Sequence, residues 1–521
     1  MRVILATPPE YRMLTTPAQV LGEPMALMYV ASYVRDLGFL ERASAAIEIL
    51  DAFTLHMGPQ TFVDEIVRKK PDVLGVTLTS RMFLSAIASL SRIHDALPNT
   101  KIVLGGIHPT FTARNIVETF PFIDCVIKGE GERAFAELLL YYAGEATKIS
   151  AIPGITAARN GRVIEREADT VRNLDDLPFP ARDLVKNIRY GYSWNGIDLT
   201  YGKFTSIVTS RGCPFSCKFC TNWVFTNRKL RTRSIENVVS ELELIQSQGY
   251  KSCVIVDDIY TANKKRVIRM CDEIVKRKID LVFYCEGRTD CADPQVFRSM
   301  KRAGFSSILF GMESGSQKVL DFFNKGITPD KSRIAVANAK KAGLQVIGAF
   351  IIGAPVETVE DIKATLALIT ELDLDGLEVN ALGVSPWDSL YNEAAKIGRT
   401  KQVDWMRDHL VSDYFENLTQ QELAKWVEQA YYAFFYKSPV SNLKKFIRYI
   451  VKSRDGRNAI VRNIVNPYAW KLIIERGKPS HKIEEILLSG TEMGFIKNND
   501  MNEMKFELAP SVIEGNPPSP F

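Results

Sequence analysis

The chain has 521 residues, 46% hydrophobic and 24% charged, an ordinary globular composition with length for two or three domains. Its 66 basic and 61 acidic residues nearly balance at +5, which argues against a dedicated nucleic-acid binder. Eight cysteines are too few for a secreted disulfide framework, and no signal peptide or apolar stretch of roughly 18 residues appears, so a cytoplasmic protein is expected.

The first third alternates strand and helix patterns. Strands are expected at 2–6, 73–77, 102–104 and 125–127, and helices at 25–37 and 83–97. Alternation of this kind implies a doubly wound parallel sheet, whose ligands sit beyond the carboxyl ends of the strands. Thr77-Leu78-Thr79-Ser80, Gly105-Gly106 and Gly129-Glu130-Gly131-Glu132 lie at such ends. This domain is assigned 1–145. Residues 146–200 are a linker, with two prolines and clustered acids in Leu174-Asp175-Asp176-Leu177-Pro178-Phe179-Pro180-Ala181-Arg182-Asp183.

A second series fills 201–385. Strands are expected at 206–209, 253–256, 281–285, 307–310, 346–352 and 377–380, separated by helices. Six such strands suggest a partial (β/α)6 barrel with its chemistry at the carboxyl ends. Residues 386–508 read as a mostly helical cap that shapes the substrate pocket, in which Trp387, Trp405 and the aromatics 431–436 are core or cavity lining. A basic stretch at 444–462 is an amphipathic surface helix or a membrane-surface contact. The four prolines of 509–521 mark a disordered tail.

The most specific feature is Ser210-Arg211-Gly212-Cys213-Pro214-Phe215-Ser216-Cys217-Lys218-Phe219-Cys220. Thiolates suit zinc or an iron–sulfur cluster. A structural zinc site needs a fourth ligand, and no Cys or His lies between Cys220 and Cys253. Three cysteines on one loop leave one metal position open. Cys253, Cys271, Cys285 and Cys291 fall in strand or apolar-helix patterns or singly, and read as free thiols.

This loop resembles that of the radical S-adenosylmethionine superfamily. The resemblance, over roughly 204–385, implies a [4Fe–4S] cluster on Cys213, Cys217 and Cys220. It implies S-adenosylmethionine on the open iron, cleaved reductively to a 5′-deoxyadenosyl radical. It places Phe219 near the adenine and Asp257 near the cofactor, offers Arg288 to its carboxylate and Glu313 and Ser314 to its ribose or amino group, and identifies the 348–357 segment containing Gly353 with the adenine-binding strand.

The first domain resembles the cobalamin-binding domain of one large radical subfamily, through residues 71–77, Val103-Leu104-Gly105-Gly106-Ile107-His108-Pro109-Thr110, Lys128-Gly129-Glu130-Gly131-Glu132 and the linker. It implies cobalamin contacts from Thr77, Thr79, Ser80, Gly105, Gly106, His108, Gly129 and Glu130. The Asp-x-His-x-x-Gly motif that supplies a lower axial histidine is absent, so His108 is expected as a tail contact and cobalamin as bound without that ligand. Arg81 is a candidate for the lower face, or a solvated arginine.

Together the two resemblances imply a radical enzyme that methylates an unactivated carbon of a small or lipid-like substrate, with a flavodoxin- or ferredoxin-type electron donor. Oxidative cyclisation and carbon–carbon bond formation or rearrangement are alternatives within the architecture. A cobalamin-binding sensor is the alternative from another class. No catalytic residue beyond these is assigned, and peripheral membrane association is kept as a candidate.

Overall fold

The computed structural model describes residues 1–9, 20–38, 45–145, 148–194, 197–198, 200–401, 404–406 and 408–436. The basic stretch at 444–462 and the proline-rich tail lie outside the described residues. Among the described residues, no helix is long and apolar enough to cross a membrane.

The first sheet contains β1 (Arg2–Thr7), β2 (Ala46–Asp51), β3 (Val73–Thr77), β4 (Lys101–Gly105) and β5 (Cys125–Ile127), parallel in the order β2-β1-β3-β4-β5. The order reverses between β1 and β3, so a crevice opens at their carboxyl ends. Helices α1 (Met25–Asp36) and α5 (Glu132–Tyr142) bury Leu27, Val34 and Leu138 on one face. Helices α2 (Pro59–Lys69), α3 (Ser80–Ala96) and α4 (Ile107–Thr119) bury Phe62, Phe83 and Ile116 on the other.

The expected linker proves to be partly sheet. Strands β6 (Ile155–Arg159) and β7 (Arg162–Glu165) form a hairpin that extends the sheet antiparallel to β5. Its turn places Asn160 and Gly161 at φ +51° and +70°, the Asn-Gly geometry that matches strand twist. The first sheet therefore runs to Glu165, past the expected boundary at 145.

The second sheet has six parallel strands in sequential order: β8 (Phe204–Ile207), β9 (Ser252–Ile255), β10 (Val282–Arg288), β11 (Phe305–Glu313), β12 (Gln345–Ile352) and β13 (Gly376–Ala381). Between them come α6 (Asn222–Thr226), α7 (Ile235–Ser247), α8 (Lys264–Lys276), α9 (Pro294–Arg302), α10 (Gln317–Phe322), α11 (Pro329–Lys341) and α12 (Val359–Glu371). Helices α7, α8, α9, α11 and α12 start on Ser234, Asn263, Asp293, Thr328 and Thr358, whose side chains accept first-turn amides. Each such cap contributes about 1 kcal/mol. Strand β10 runs past the expected end at 285, so Arg288 stands on a strand rather than a loop.

The lower barrel interior is apolar. Val254, Tyr284, Leu309 and Ile347 pack there with Phe204 and with Met28, Val185 and Tyr190 from α1 and the linker. A buried charge network joins the same three pieces. Arg182 of the linker reaches Glu241 at 2.6 Å, Thr205 Oγ1 at 2.9 Å and the Ser206 carbonyl at 2.7 Å. Glu23, ahead of α1, accepts from Thr205 Oγ1 at 2.6 Å and the Ser206 amide at 2.7 Å. The linker motif thus fixes the first domain to the first barrel strand.

Helices α13 (Ser389–Lys396) and α14 (Gln420–Tyr436) follow the barrel. Trp405 lies in the α3–α4 groove, 5.7 Å from Phe83 and 6.4 Å from Phe120 between centroids, so it is core. Trp387 stacks on Phe111 of α4 at 5.0 Å. Trp387 and Trp405 therefore pack the segment after the barrel against α3 and α4 of the first domain.

Candidate active site

The cysteine loop leaves β8 under tight constraint. Asp257, at the end of β9, accepts from the Thr209 and Ser210 amides at 2.6 and 3.0 Å and from their hydroxyls at 2.5 and 2.7 Å. Burial raises its pKa, and these four bonds oppose the rise. Asp258 accepts from the Gly212 amide at 2.7 Å. Gly212 sits at φ +96°, where a Cβ would stand 2.0 Å from the Lys229 carbonyl oxygen, so only glycine fits this turn. Further along, the Lys218 amide donates to the Phe323 carbonyl at 2.9 Å, and Asn324 Nδ2 to the Ser216 carbonyl at 3.1 Å.

Cys217 is buried, and Cys213 and Cys220 are half-buried. Burial raises the Cys220 thiol to about 11, and nearby Cys217 and Cys213 push the same way. Cys213 is likewise raised by burial and by Cys217. Cys213 and Cys220 thus sit near enough to Cys217 to feel its charge, and the three sulfurs form a soft donor set suited to a cluster. Among the described residues, no three His, Cys, Asp or Glu side chains converge as for a single metal ion.

Arg288 lies over this loop. Its guanidinium carbon is 3.7 Å from the Phe215 ring centroid, and Nη1 is 3.6 Å from Cys217 Sγ. Nε and Nη2 donate to Asp290 at 3.0 Å each, and Nη2 to the Lys325 carbonyl at 2.5 Å. Phe219 meets Phe323 edge-on at 5.1 Å. Glu313 adopts φ +61° and takes the Lys325 ammonium at 2.5 Å, with both side chains under 10% exposed (6% and 8%). Lys325 Nζ also stands 5.5 Å over the Phe219 ring. Cys217, Phe219, Arg288, Glu313 and Lys325 thus form one cluster.

Other expected residues face elsewhere. Asp257 braces the loop and has its oxygens occupied. Ser314 is fully buried and shares a 3.0 Å bond with Thr365 of α12. The Gly315 position lies 2.4 Å from the Ala364 carbonyl, measured from a built Cβ, so this strand end docks on the helix. Gly353 has φ +112° and donates to Glu357 at 2.5 Å, and a Cβ there would reach Leu423 of α14 at 2.7 Å. Burial pushes Glu357 up to about 7. Cys253, Cys271 and Cys285 are buried and separate from the loop, with thiols raised by burial.

At the first domain's strand ends, Gly106 (φ +98°) packs a built Cβ position 2.7 Å from the Leu78 carbonyl, so its role is loop-to-loop contact. Gly105 has nothing nearer than 3.8 Å to such a position, leaving room above the strand. Gly129 (φ +74°) donates to Thr110 Oγ1 at 3.0 Å. Thr77 is half-buried, while Thr79 and Arg81 are exposed. His108 is fully buried; Nδ1 meets Ser80 Oγ at 3.1 Å, and Nε2 has no partner. Burial lowers its pKa to about 3, so the ring is neutral. Trp387 Nε1, whose ring lies 5.4 Å from His108, and Thr7 Oγ1 at the end of β1 are also buried without partners. Open glycine and orphaned polar atoms suit a large amide-bearing ligand such as cobalamin. Glu130 is an exception, because its carboxylate is bound to Arg211 and Arg231.

Sequence reasoning missed Lys325, Asp258 and Glu286. Glu286, on β10, keeps an exposed face, and its partly desolvated carboxyl is held above the ordinary carboxylate range with the help of the nearby acids Glu378 and Asp258. Its signal was the strand pattern, since it alternates with Tyr284 and Arg288.

A doubly wound domain in front of a six-stranded barrel with a three-cysteine loop defines a radical enzyme with a second cofactor domain. The radical SAM superfamily model matches residues 207–369, and the B12 binding domain model matches 11–139. A relative described as an uncharacterized methyltransferase of Pyrococcus horikoshii is 30% identical over 84% of this chain and 94% of its own length. The anaerobic magnesium-protoporphyrin IX monomethyl ester cyclase of Cereibacter sphaeroides is 26% identical over 81% of this chain and 68% of its own. The solved structure of the cobalamin-dependent S-adenosylmethionine radical enzyme OxsB, with aqua-cobalamin and S-adenosylmethionine bound, superposes with TM-score 0.66 at 16% identity, covering 99% of this chain and 82% of that one. The chain belongs to the radical SAM superfamily, in the group that carries a B12-binding domain, and its cofactors are a [4Fe–4S] cluster, S-adenosylmethionine and cobalamin.

Proposed function

We propose that the protein methylates an unactivated carbon of a small or hydrophobic substrate. One observation carries this reading: the cysteine loop and the first domain's strand-end loop are joined directly, with Arg211 donating to Glu130 at 3.0 Å and to Glu132 at 2.7 Å. Radical generation and methyl supply then share one chamber. When bound, the cluster supplies the electron that opens S-adenosylmethionine to a 5′-deoxyadenosyl radical, and cobalamin supplies the methyl group.

In this reading Cys213, Cys217 and Cys220 hold the cluster. Phe219 packs on the adenine side, and Lys325 and Glu313 hold the polar end of S-adenosylmethionine. Arg288 fixes the Cys217 thiolate through its guanidinium. Asp257 and Ser314 support the fold of the loop and of β11, and Gly353 closes the barrel against α14. His108 Nε2 would meet a corrin amide, and Thr77, Thr79, Ser80, Gly105, Gly106 and Gly129 would shape the floor. The cap with Trp387 excludes water from the chamber. A flavodoxin- or ferredoxin-type donor and a cytoplasmic setting belong to the same proposal.

The test is anaerobic turnover with reductant and candidate substrates. Methylation requires 5′-deoxyadenosine and S-adenosylhomocysteine in equal amounts. The first without the second refutes methyl transfer and favours the oxidative cyclisation that the Cereibacter relative's description suggests.

A further inference from the structure

The acids of the Lys128–Glu132 segment bind protein, not open space. Glu130 Oε1 accepts from Arg211 Nη1 at 3.0 Å and Arg231 Nη2 at 2.8 Å. Its Oε2 accepts from Arg231 Nη1 at 2.9 Å and the Val171 amide at 2.8 Å. Glu132 Oε1 accepts from Arg211 Nη2 at 2.7 Å. Glu132 is 4% exposed, Glu130 10%, Arg231 16% and Arg211 19%, so solvent screens these pairs only partly.

The two arginines face each other across a ladder of only two residue pairs, Ser210–Arg211 against Arg231–Thr232. That ladder closes the loop from Gly212 to Leu230, and Arg211 precedes Cys213 by two residues. Like charges directly opposite on antiparallel strands destabilise the pair. Two carboxylates from the other domain neutralise them. Glu130 belongs to the strand-end loop whose Gly129 amide is held by Thr110, so one short segment touches both the first domain's crevice and the neck of the cysteine loop.

The geometry points to Glu130 and Glu132 as positioning residues: they hold the neck of the cluster loop to the first domain, so that the occupant of the first domain's strand ends and the cluster are conformationally coupled. This rests on the cofactor assignment above for the identity of the two groups, but not for the clamp itself. Cobalamin binding is accordingly felt at 210–232, and loss of the clamp separates the two sites.

The test uses the full chain in two arms. In the first, hydrogen exchange is followed without cofactors and with added hydroxocobalamin. Wild type is expected to slow at 210–214 and 229–232 on adding cobalamin. The Glu130→Gln/Glu132→Gln variant exchanges there about tenfold faster than wild type, with strand 305–313 unchanged, and shows no cobalamin response. In the second arm, reconstituted protein is read by iron content and by the electron paramagnetic resonance of the reduced cluster with S-adenosylmethionine. The variant keeps about four iron per chain but gives a broadened signal, and Glu130→Asp restores part of the wild-type shape. Exchange at the neck unchanged in the variant, or a cobalamin response that survives in it, overturns the inference. If the double variant fails to fold, the Glu130→Gln single variant is read by the same criteria. Wild type without iron or cobalamin refutes the cofactor assignment instead, while exchange without cofactors still decides the clamp.

Discussion

Replacing Arg182 by methionine tests how the two domains are fixed together. The side chains of Arg182 and Glu241 are 3% and 0% exposed, and Arg182 loses bonds to Glu241, Thr205 and the Ser206 carbonyl. Removing one partner of a buried ion pair costs about 3–5 kcal/mol. Arg233 still reaches Glu241 at 2.5 Å, so the low end, about 3 kcal/mol, is expected. Burial already raises the Glu23 pKa and Arg182 opposes that rise; without the arginine it climbs further. A carboxyl raised in the folded state binds more protons folded than unfolded, so its stability contribution falls as pH rises above the ordinary carboxylate range. The loss caused by Arg182→Met is therefore larger at pH 8 than at pH 5. Urea titration of the full chain, read at its first transition, measures both. Because two sheets unfold, midpoints are compared rather than one global free energy. Adding Glu23→Gln, which removes the carboxyl left without its counter-charge, recovers part of the loss. A penalty below about 1 kcal/mol at pH 8, well short of the buried-pair range, or one that does not shrink at pH 5, refutes the network's role.

Four further outcomes follow from the same geometry. Glu357, raised to about 7 by burial, makes wild-type stability decline as pH climbs from the ordinary carboxylate range to about 7; Glu357→Gln removes that decline in thermal melts and is the more stable form at pH 8. Gly212→Ala forces a Cβ into the Lys229 carbonyl, so reconstituted iron falls several-fold while far-ultraviolet circular dichroism is retained. Cys217→Ser has the same effect on iron, whereas Cys253→Ser and Cys271→Ser leave iron at about four per chain. Finally, His108→Phe removes a buried unpaired Nε2 together with the partner of the Ser80 hydroxyl; it weakens cobalamin binding about tenfold in spectral titration, with tighter binding contradicting the amide contact.

The barrel was legible because its strands are short apolar runs bounded by polar ends, and its helices carry cap residues such as Ser234 and Asp293. The cysteine loop was legible from spacing alone. The β6–β7 hairpin was not, although Asn160-Gly161 between Ile155–Arg159 and Arg162–Glu165 was a hairpin signal; clustered acids and prolines downstream masked it. The site was harder. Glu130 and Asp257 carry groups suited to a cofactor, but each finds its partners within the protein, Arg231 and Thr209 among them. Such pairings join residues 101 and 48 positions apart, which no local pattern encodes. Lys325 was missed for the same reason, since its importance comes from Glu313 and Arg288 rather than from its neighbours in sequence.

The central claim is that one chain holds both a radical-generating cluster and a methyl-carrying cobalamin. It is tested most directly by incubating cobalamin-loaded, reconstituted protein anaerobically with S-adenosylmethionine and a low-potential reductant, without substrate, and quantifying both products in one sample. The account predicts 5′-deoxyadenosine together with about one equivalent of S-adenosylhomocysteine per bound cobalamin, both lost in Cys217→Ala for the first product and in cobalamin-free protein for the second. Deoxyadenosine that persists in Cys217→Ala, or S-adenosylhomocysteine that forms without cobalamin, contradicts it.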